Sequence, residues 1–331
     1  MGKIFFIILS IFGAIYSFAP AEAGHLVAGN SFSDPSKTVP MPDSWIEQPI
    51  ERGEVDLKVM MDQQMHSVLA PIIQEYAKKR HIKISLSDGT CGNSAGSLLK
   101  KQADIGAFCC PPRNADRLPG LQFYTLGISP IAIITHPDNQ ITDVTTDQIR
   151  DIFSGSINRW SELNKPDGSP GPNKPIQQVA RLHCKPRPGH WRLILDNEDL
   201  FSVNLKEVGT IPDMLSTAAT NPRSIGHISS WLAEEHNKDK KRVKSLKING
   251  TSPTDLQALI DGRYPFYKTF SITTWGGSSV ENSHAKDLKK FLLQQVDKLD
   301  DKYLFASHSK LRNAGWHFDG YELTGPKQKN K

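Results

Sequence analysis

The chain has 331 residues, a net charge of only +5, and charged side chains of both signs spread along its length. Aromatic residues do not interleave with basic clusters, which argues against a nucleic-acid surface. The length exceeds what one small domain needs and suits two lobes of ordinary size.

Lys3 precedes an apolar run over 4–18, and Ala21-Glu22-Ala23 supplies small residues at a cut site, the pattern of a secretory leader over 1–23. The run has the length of a signal segment and lacks a charged far flank, so a membrane anchor fits less well. No cysteine lies near the cut, which argues against a lipoprotein. An exported, periplasmic protein beginning near Gly24 is expected. Residues 24–54 are polar and Pro-containing without periodicity, an extended N-terminal arm.

A strand is expected over 57–61, then a helix over 68–79 with Val68, Leu69, Ile72, Ile73 and Tyr76 at helical spacing. Residues 82–86 alternate as a strand. Gly89, Gly92 and Gly96 permit a tight turn, with Asn93 or Ser94 as N-cap of a helix over 94–102. A short strand over 105–108 then delivers Cys109 and Cys110. Three of the four cysteines lie in this strand–helix–strand unit. A helix N-terminus facing strand ends is an anion site, because unpaired N–H groups point outward there. The alternation predicts a right-handed α/β pattern with mostly parallel sheets.

The apolar run over 123–136 is too long for one strand of a compact sheet and is expected to cross between lobes. Thr145 caps a helix running to Phe153. Residues 164–175 hold four prolines and two glycines and read as a surface loop. A strand over 176–182, an irregular turn over 183–188, a helix start over 189–195, a helix over 211–219 and a strand over 225–228 follow. Residues 234–242 are charge-rich and exposed. After a strand over 246–248, Ser252-Pro253 opens a helix with proline in its first turn. Residues 267–275 alternate as a strand. Leu288, Phe291, Leu292, Val296 and Leu299 stripe a last helix that packs on the first lobe. Trp160, Trp231 and Trp275 read as packing residues, His227 and His284 as structural or exposed. Residues 321–331 are expected to form a flexible basic tail.

This order of elements resembles the periplasmic phosphate-binding proteins of ABC transporters and their wider type II solute-binding relatives. Three stretches carry the resemblance: Ala103-Asp-Ile-Gly-Ala107 after a Gly/Ser-rich helix start, the segment from Thr145 to Trp160, and Ile225-Gly-His-Ile-Ser229 with the later Gly262-Arg-Tyr-Pro-Phe-Tyr267. The resemblance implies an α/β type II periplasmic-binding-protein fold with two lobes and a two-segment hinge. Lobe 1 would be 55–135 and 245–320, and lobe 2 would be 136–244. It also implies a monomer that clamps a small ligand and serves an ABC-transporter component or a membrane sensor, and not an enzyme.

Carried onto this chain, the ligand loops give Ser67, Gly92, Asn93, Ser94, Arg181, Lys185 and Arg187. The departures fall in the same loops: Cys91, Cys109, Cys110 and Cys184 converge there, with His66, His183 and His190 in reserve. Thiols are poor hydrogen-bond donors and weak acceptors, so phosphate is put in doubt. Three readings stand. The cysteines form two disulfides, as an oxidising compartment allows; or they hold a soft metal ion, metalloid or iron–sulfur cluster; or an anion rests on the helix start with Lys185 or Arg187 opposite. A redox protein that borrowed the fold is the alternative to a carrier.

Overall fold

The computed structural model describes residues 35–182, 193–196, 198–240 and 242–326. Its elements begin with one helical turn, α1 (Asp43–Ile46), inside the segment expected as an arm. The arm is docked. Ile50 is buried in the first core, Trp45 Nε1 donates to the Leu99 carbonyl at 2.7 Å, and Lys101 Nζ lies 4.1 and 4.3 Å from the Trp45 and Trp275 ring centres. Cation–π contacts of this kind contribute from ~0.5 to 2 kcal/mol.

The first lobe is built on three parallel strands, β1 (Leu57–Asp62), β2 (Ile84–Gly89) and β3 (Ile105–Phe108). Two helices connect them, α2 (Gln63–Arg80) and α3 (Cys91–Leu99). Both begin earlier than sequence spacing predicts. Asp62 caps α2 by accepting from the Gln64 N–H at 2.9 Å. Thr90, not Asn93 or Ser94, caps α3: its Oγ1 accepts from Asn93 N–H, and Asn93 Oδ1 accepts from Thr90 N–H. That reciprocal box draws Gly92 and Gly96 into the helix instead of leaving them in a turn.

The apolar run expected to cross between lobes is one strand, β4 (Leu121–Thr135). Chain order continues with β5 (Asp143–Val144), α4 (Thr146–Ser154), β6 (Gln177–Ala180), β7 (Lys206–Glu207), α5 (Ile211–Thr220), β8 (Ser224–Ser229) and α6 (Ser230–Asn237). Then come β9 (Lys244–Ser245), β10 (Lys247–Ile248), α7 (Leu256–Ile260), β11 (Tyr267–Trp275) and α8 (Ser283–Gln295). The described chain closes with β12 (Ala306–Ser307), α9 (His308–Asn313), β13 (His317–Asp319) and β14 (Glu322–Gly325). Asp255 caps α7 through the Ala258 N–H at 2.8 Å, so Pro253 precedes that helix and does not lie in its first turn. The helix start expected over 189–195 falls largely outside the described residues.

The main sheet runs β2-β1-β3-β11-β4-β8-β6-β7. Outer strands of each lobe pair in parallel, and the antiparallel pairings enter through β4 and β11. Residues 121–130 of β4 pair with β11, while 131–135 pair with β8. The core changes along the same strand: Leu126 belongs to the first cluster and Ile128 to the second. Between them Gly127 faces β12 so closely that a Cβ would lie 2.2 Å from the Ala306 carbonyl oxygen. Only glycine fits there without a shift.

β11 is the second crossing, since Tyr267 packs in the second core and Phe270 in the first. The return expected at 245 therefore comes later. Leu246, Ile248, Leu259, Tyr264 and Phe266 are claimed by the second lobe because α7 packs its apolar side there. The tail expected from 321 also starts later, as Glu322–Gly325 forms β14 and Glu322 pairs with buried Arg117. α8 packs on the first lobe through Leu288 and Leu292, with Phe291 partly buried there, as its stripe predicts, and through Leu293, which the stripe does not include.

Candidate functional site, a cysteine cluster where the lobes meet

Parallel pairing of β1 with β3 brings the C-terminal ends of both strands together, Met61 opposite Ala107. The next residues are Asp62 on one strand, and Phe108, Cys109 and Cys110 on the other. The first turn of α3 is fastened over these ends by the Ser94 hydroxyl, which reaches the Ala107 carbonyl at 2.8 Å and the Met60 carbonyl at 3.2 Å. Cys91, the first residue of α3, is thereby set against both cysteines.

Cys91 Sγ lies 3.4 Å from Cys109 Sγ and 3.1 Å from Cys110 Sγ, and the Cys109 N–H donates to Cys91 Sγ at 3.2 Å. All three sulfurs lie within 4.8 Å of one another. Each residue is 3% exposed or less. A disulfide is ~2.05 Å long, so Cys91 is bonded to neither neighbour. Cys184, His183 and His190 lie outside the described residues, as do Lys185 and Arg187. Among the described residues, the gathered metal-ligating set is the three cysteines, and His66, half-buried in α2, is not part of it.

Asp62 sits beside this cluster. Burial foremost, then the neighbouring Cys109, pushes its carboxyl well above the usual carboxylate range, against the opposing pull of Lys268 and the Gln64 N–H. Gln64 carries the network across the lobes. Its Oε1 accepts from Lys268 Nζ of β11 at 3.4 Å and from Ser229 Oγ of β8 at 2.5 Å. Lys268 is 4% exposed, so its amine is held away from solvent where the lobes join.

The remaining expected ligand residues are placed as follows. The Ser67 hydroxyl donates to the Gln64 carbonyl in the first turn of α2 and is exposed. Gly92 and Asn93 are exposed on α3, the Asn93 side chain engaged in its cap. Ser94 is buried against strand carbonyls. Arg181 Nε donates to the Gly209 carbonyl at 3.3 Å, and its charge reaches His227. Sequence reasoning missed Asp62, Gln64, Ser229 and Lys268. Asp62 stood six residues ahead of Val68, where the helical periodicity begins, and Lys268 was a single lysine inside an otherwise strand-like run.

His227 of β8 is buried, with the Phe153 ring edge-on at 5.8 Å. Burial, then the positive charges of Lys268 and Arg181, push its imidazole down to about 3. The unfolded chain binds this proton near the ordinary histidine value of about 6.5, so stability is full above that pH and falls as pH drops toward 3. Between pH 7 and 5 the loss is about 2 kcal/mol. Denaturant midpoints of the native chain and His227→Gln at both pH values check this. The native chain should lose more, and parallel losses would contradict it.

Phosphate recognition on such a two-lobed frame is found in the proteins this chain resembles. A profile of the PBP superfamily domain matches residues 48–295. The phosphate-binding protein PstS of Staphylococcus epidermidis (strain ATCC 12228 / FDA PCI 1200) is 25% identical over 277 residues, covering 77% of this chain and 81% of that one. Among solved structures, a phosphate ABC transporter substrate-binding protein with bound phosphate from Clostridium perfringens aligns with a TM-score of 0.62 at 19% identity, over 76% of this chain and 98% of that one. An ABC-type phosphate transport receptor from Vibrio cholerae aligns at 0.59 and 16% identity, over 75% and 98%. These three relatives give the redox alternative no support. With two α/β lobes, two crossing strands and a profile match over most of its length, the chain belongs to the PBP superfamily domain family.

Proposed function

We propose that this protein is an exported, periplasmic solute-binding receptor that clamps a small ligand between its lobes. The closed form is then read by an ABC-transporter membrane component or a membrane sensor. One observation carries the reading: groups from both lobes converge on one buried spot, with Asp62 and Gln64 from the first, Ser229 from the second, and Lys268 from a crossing strand. Family membership and the phosphate-binding relatives support it. A ligand touching both sides favours closure because it binds the closed state better than the open one. The receptor acts as a monomer, without catalysis, after loss of the leader over 1–23.

The test uses inorganic phosphate, Cu(I) and Zn(II) as probes, with small-angle scattering and thermal unfolding as readouts. A true ligand reduces the radius of gyration and raises Tm progressively with concentration, as mass action requires. If all three probes leave both quantities unchanged up to millimolar concentration, the reading fails for these ligand classes.

A further inference from the structure

We infer that the Cys91–Cys109–Cys110 cluster is a binding site for a soft d10 metal ion, Cu(I) or Zn(II), as the cargo of the cleft; this rests on the receptor reading above. Thiolate sulfur selects ions of this kind over hard cations. The three residues come from the start of α3 and the segment after β3, yet their sulfurs lie within 4.8 Å of one another, and Cys91 is 3.1 and 3.4 Å from the other two. At a metal–sulfur length of ~2.3 Å, sulfurs around a tetrahedral ion stand ~3.8 Å apart, so small side-chain rotations open the cluster enough.

The surroundings fit a metal thiolate better than they fit a hydrogen-bonded oxyanion. Thiols are weak donors, and the Ser94 hydroxyl is turned to the Ala107 carbonyl at 2.8 Å. By contrast, the Cys109 N–H already points at Cys91 Sγ at 3.2 Å, the kind of hydrogen bond that orients and tunes a ligating sulfur. A metal bound by three thiolates carries net negative charge, and Lys268 supplies a buried positive charge beside Asp62. Three sulfurs satisfy Cu(I), whereas Zn(II) prefers a fourth ligand.

Binding forms three metal–sulfur bonds and breaks three S–H bonds, releasing three protons to solvent with no change of oxidation state.

The experiment uses the reduced mature chain under anaerobic conditions. Cu(I) and, separately, Zn(II) are titrated against a chromophoric chelator. The expected result is one ion per chain, with ultraviolet thiolate-to-metal absorption for Cu(I) and at least ~100-fold weaker retention in Cys91→Ser and Cys110→Ser. Circular dichroism reports whether each variant is folded. If neither variant folds, peptide mapping of the native chain decides: bound ion must protect Cys91, Cys109 and Cys110 from a thiol reagent. Loss of both ions to the chelator, equal retention by folded variants, or unprotected cysteines would overturn the inference. Lobe closure by phosphate with no ion retained overturns it while leaving the receptor reading intact. Ion retention without closure by any probe does the reverse.

Discussion

Asp104→Ala is expected to lower stability by about 2–4 kcal/mol, since it takes a fully buried carboxylate from several donors, one of them a guanidinium that is 27% exposed. This aspartate belongs to the Ala103–Ala107 stretch that carried the family resemblance, yet it points away from the sulfurs' business and serves the frame. Its side chain is fully buried beside the guanidinium of Arg52, 2.7 Å away. It also accepts from the Lys58 N–H at 2.8 Å and from Asn282 Nδ2 at 3.1 Å. One carboxylate thus ties the N-terminal arm, β1 and the cap of α8 together. Alanine leaves the Lys58 N–H without its side-chain acceptor, a loss of about 1–3 kcal/mol when buried, and takes the carboxylate from Arg52 and Asn282, which keep only the Val280 and Asp56 carbonyls. Asp104→Asn retains part of the hydrogen bonding and should cost less. Urea unfolding of both variants gives the numbers. A variant that loses ligand binding but keeps its stability would place Asp104 in the ligand site instead.

Glu322→Ala should destabilise by a similar amount, about 3–5 kcal/mol. Arg117 donates to both Glu322 carboxylate oxygens, at 3.1 and 2.5 Å, and both side chains are less than a tenth exposed. The pair fixes the C-terminal hairpin, which is also held by the Thr125 N–H to the Tyr321 carbonyl and by the Leu323 N–H to Thr125 Oγ1, each at 2.9 Å. The Arg117→Met, Glu322→Leu double variant should recover most of the loss, since apolar replacements remove both charges at once. Thermal unfolding of the two singles and the double checks this. A double variant as unstable as the singles would show that the hairpin depends on the ion pair itself and not on burial.

Much of the frame was readable because its elements are locally determined. The Thr145 cap, the α8 stripe and the length of β4 each follow from spacing within a dozen or so residues. The helix starts were misplaced where a single side chain decides the boundary: Asp62 and Thr90 each supply an acceptor ahead of the apolar pattern, and periodicity does not see them. The site was partly legible. Cys91, Cys109 and Cys110 stood out as unusual residues beside a helix start, and the structure brings their sulfurs together. Gln64, Ser229 and Lys268 were not legible, because they meet only through contacts between residues 165 and 204 positions apart. Such pairings leave no periodic trace.

The position of β11 in the sheet bears on how this chain is made. It lies between β3 and β4, which precede it by a long stretch of chain; the Gly106–Thr273 contact spans 167 residues. While the polypeptide is being synthesised, the first lobe has its outer strands early but lacks its central one until nearly the whole chain exists. β3 and the near edge of β4 must wait with open backbone groups, an exposure that slows folding and invites wrong pairing. Residues 128–267 supply most of the second core, and Ala306, Leu311, Trp316 and Leu323 join it from the last part of the described chain. The sheet order therefore sets a timetable in which the lobe bearing the three sulfurs gains its central strand late, when a segment made late slides in between two made early.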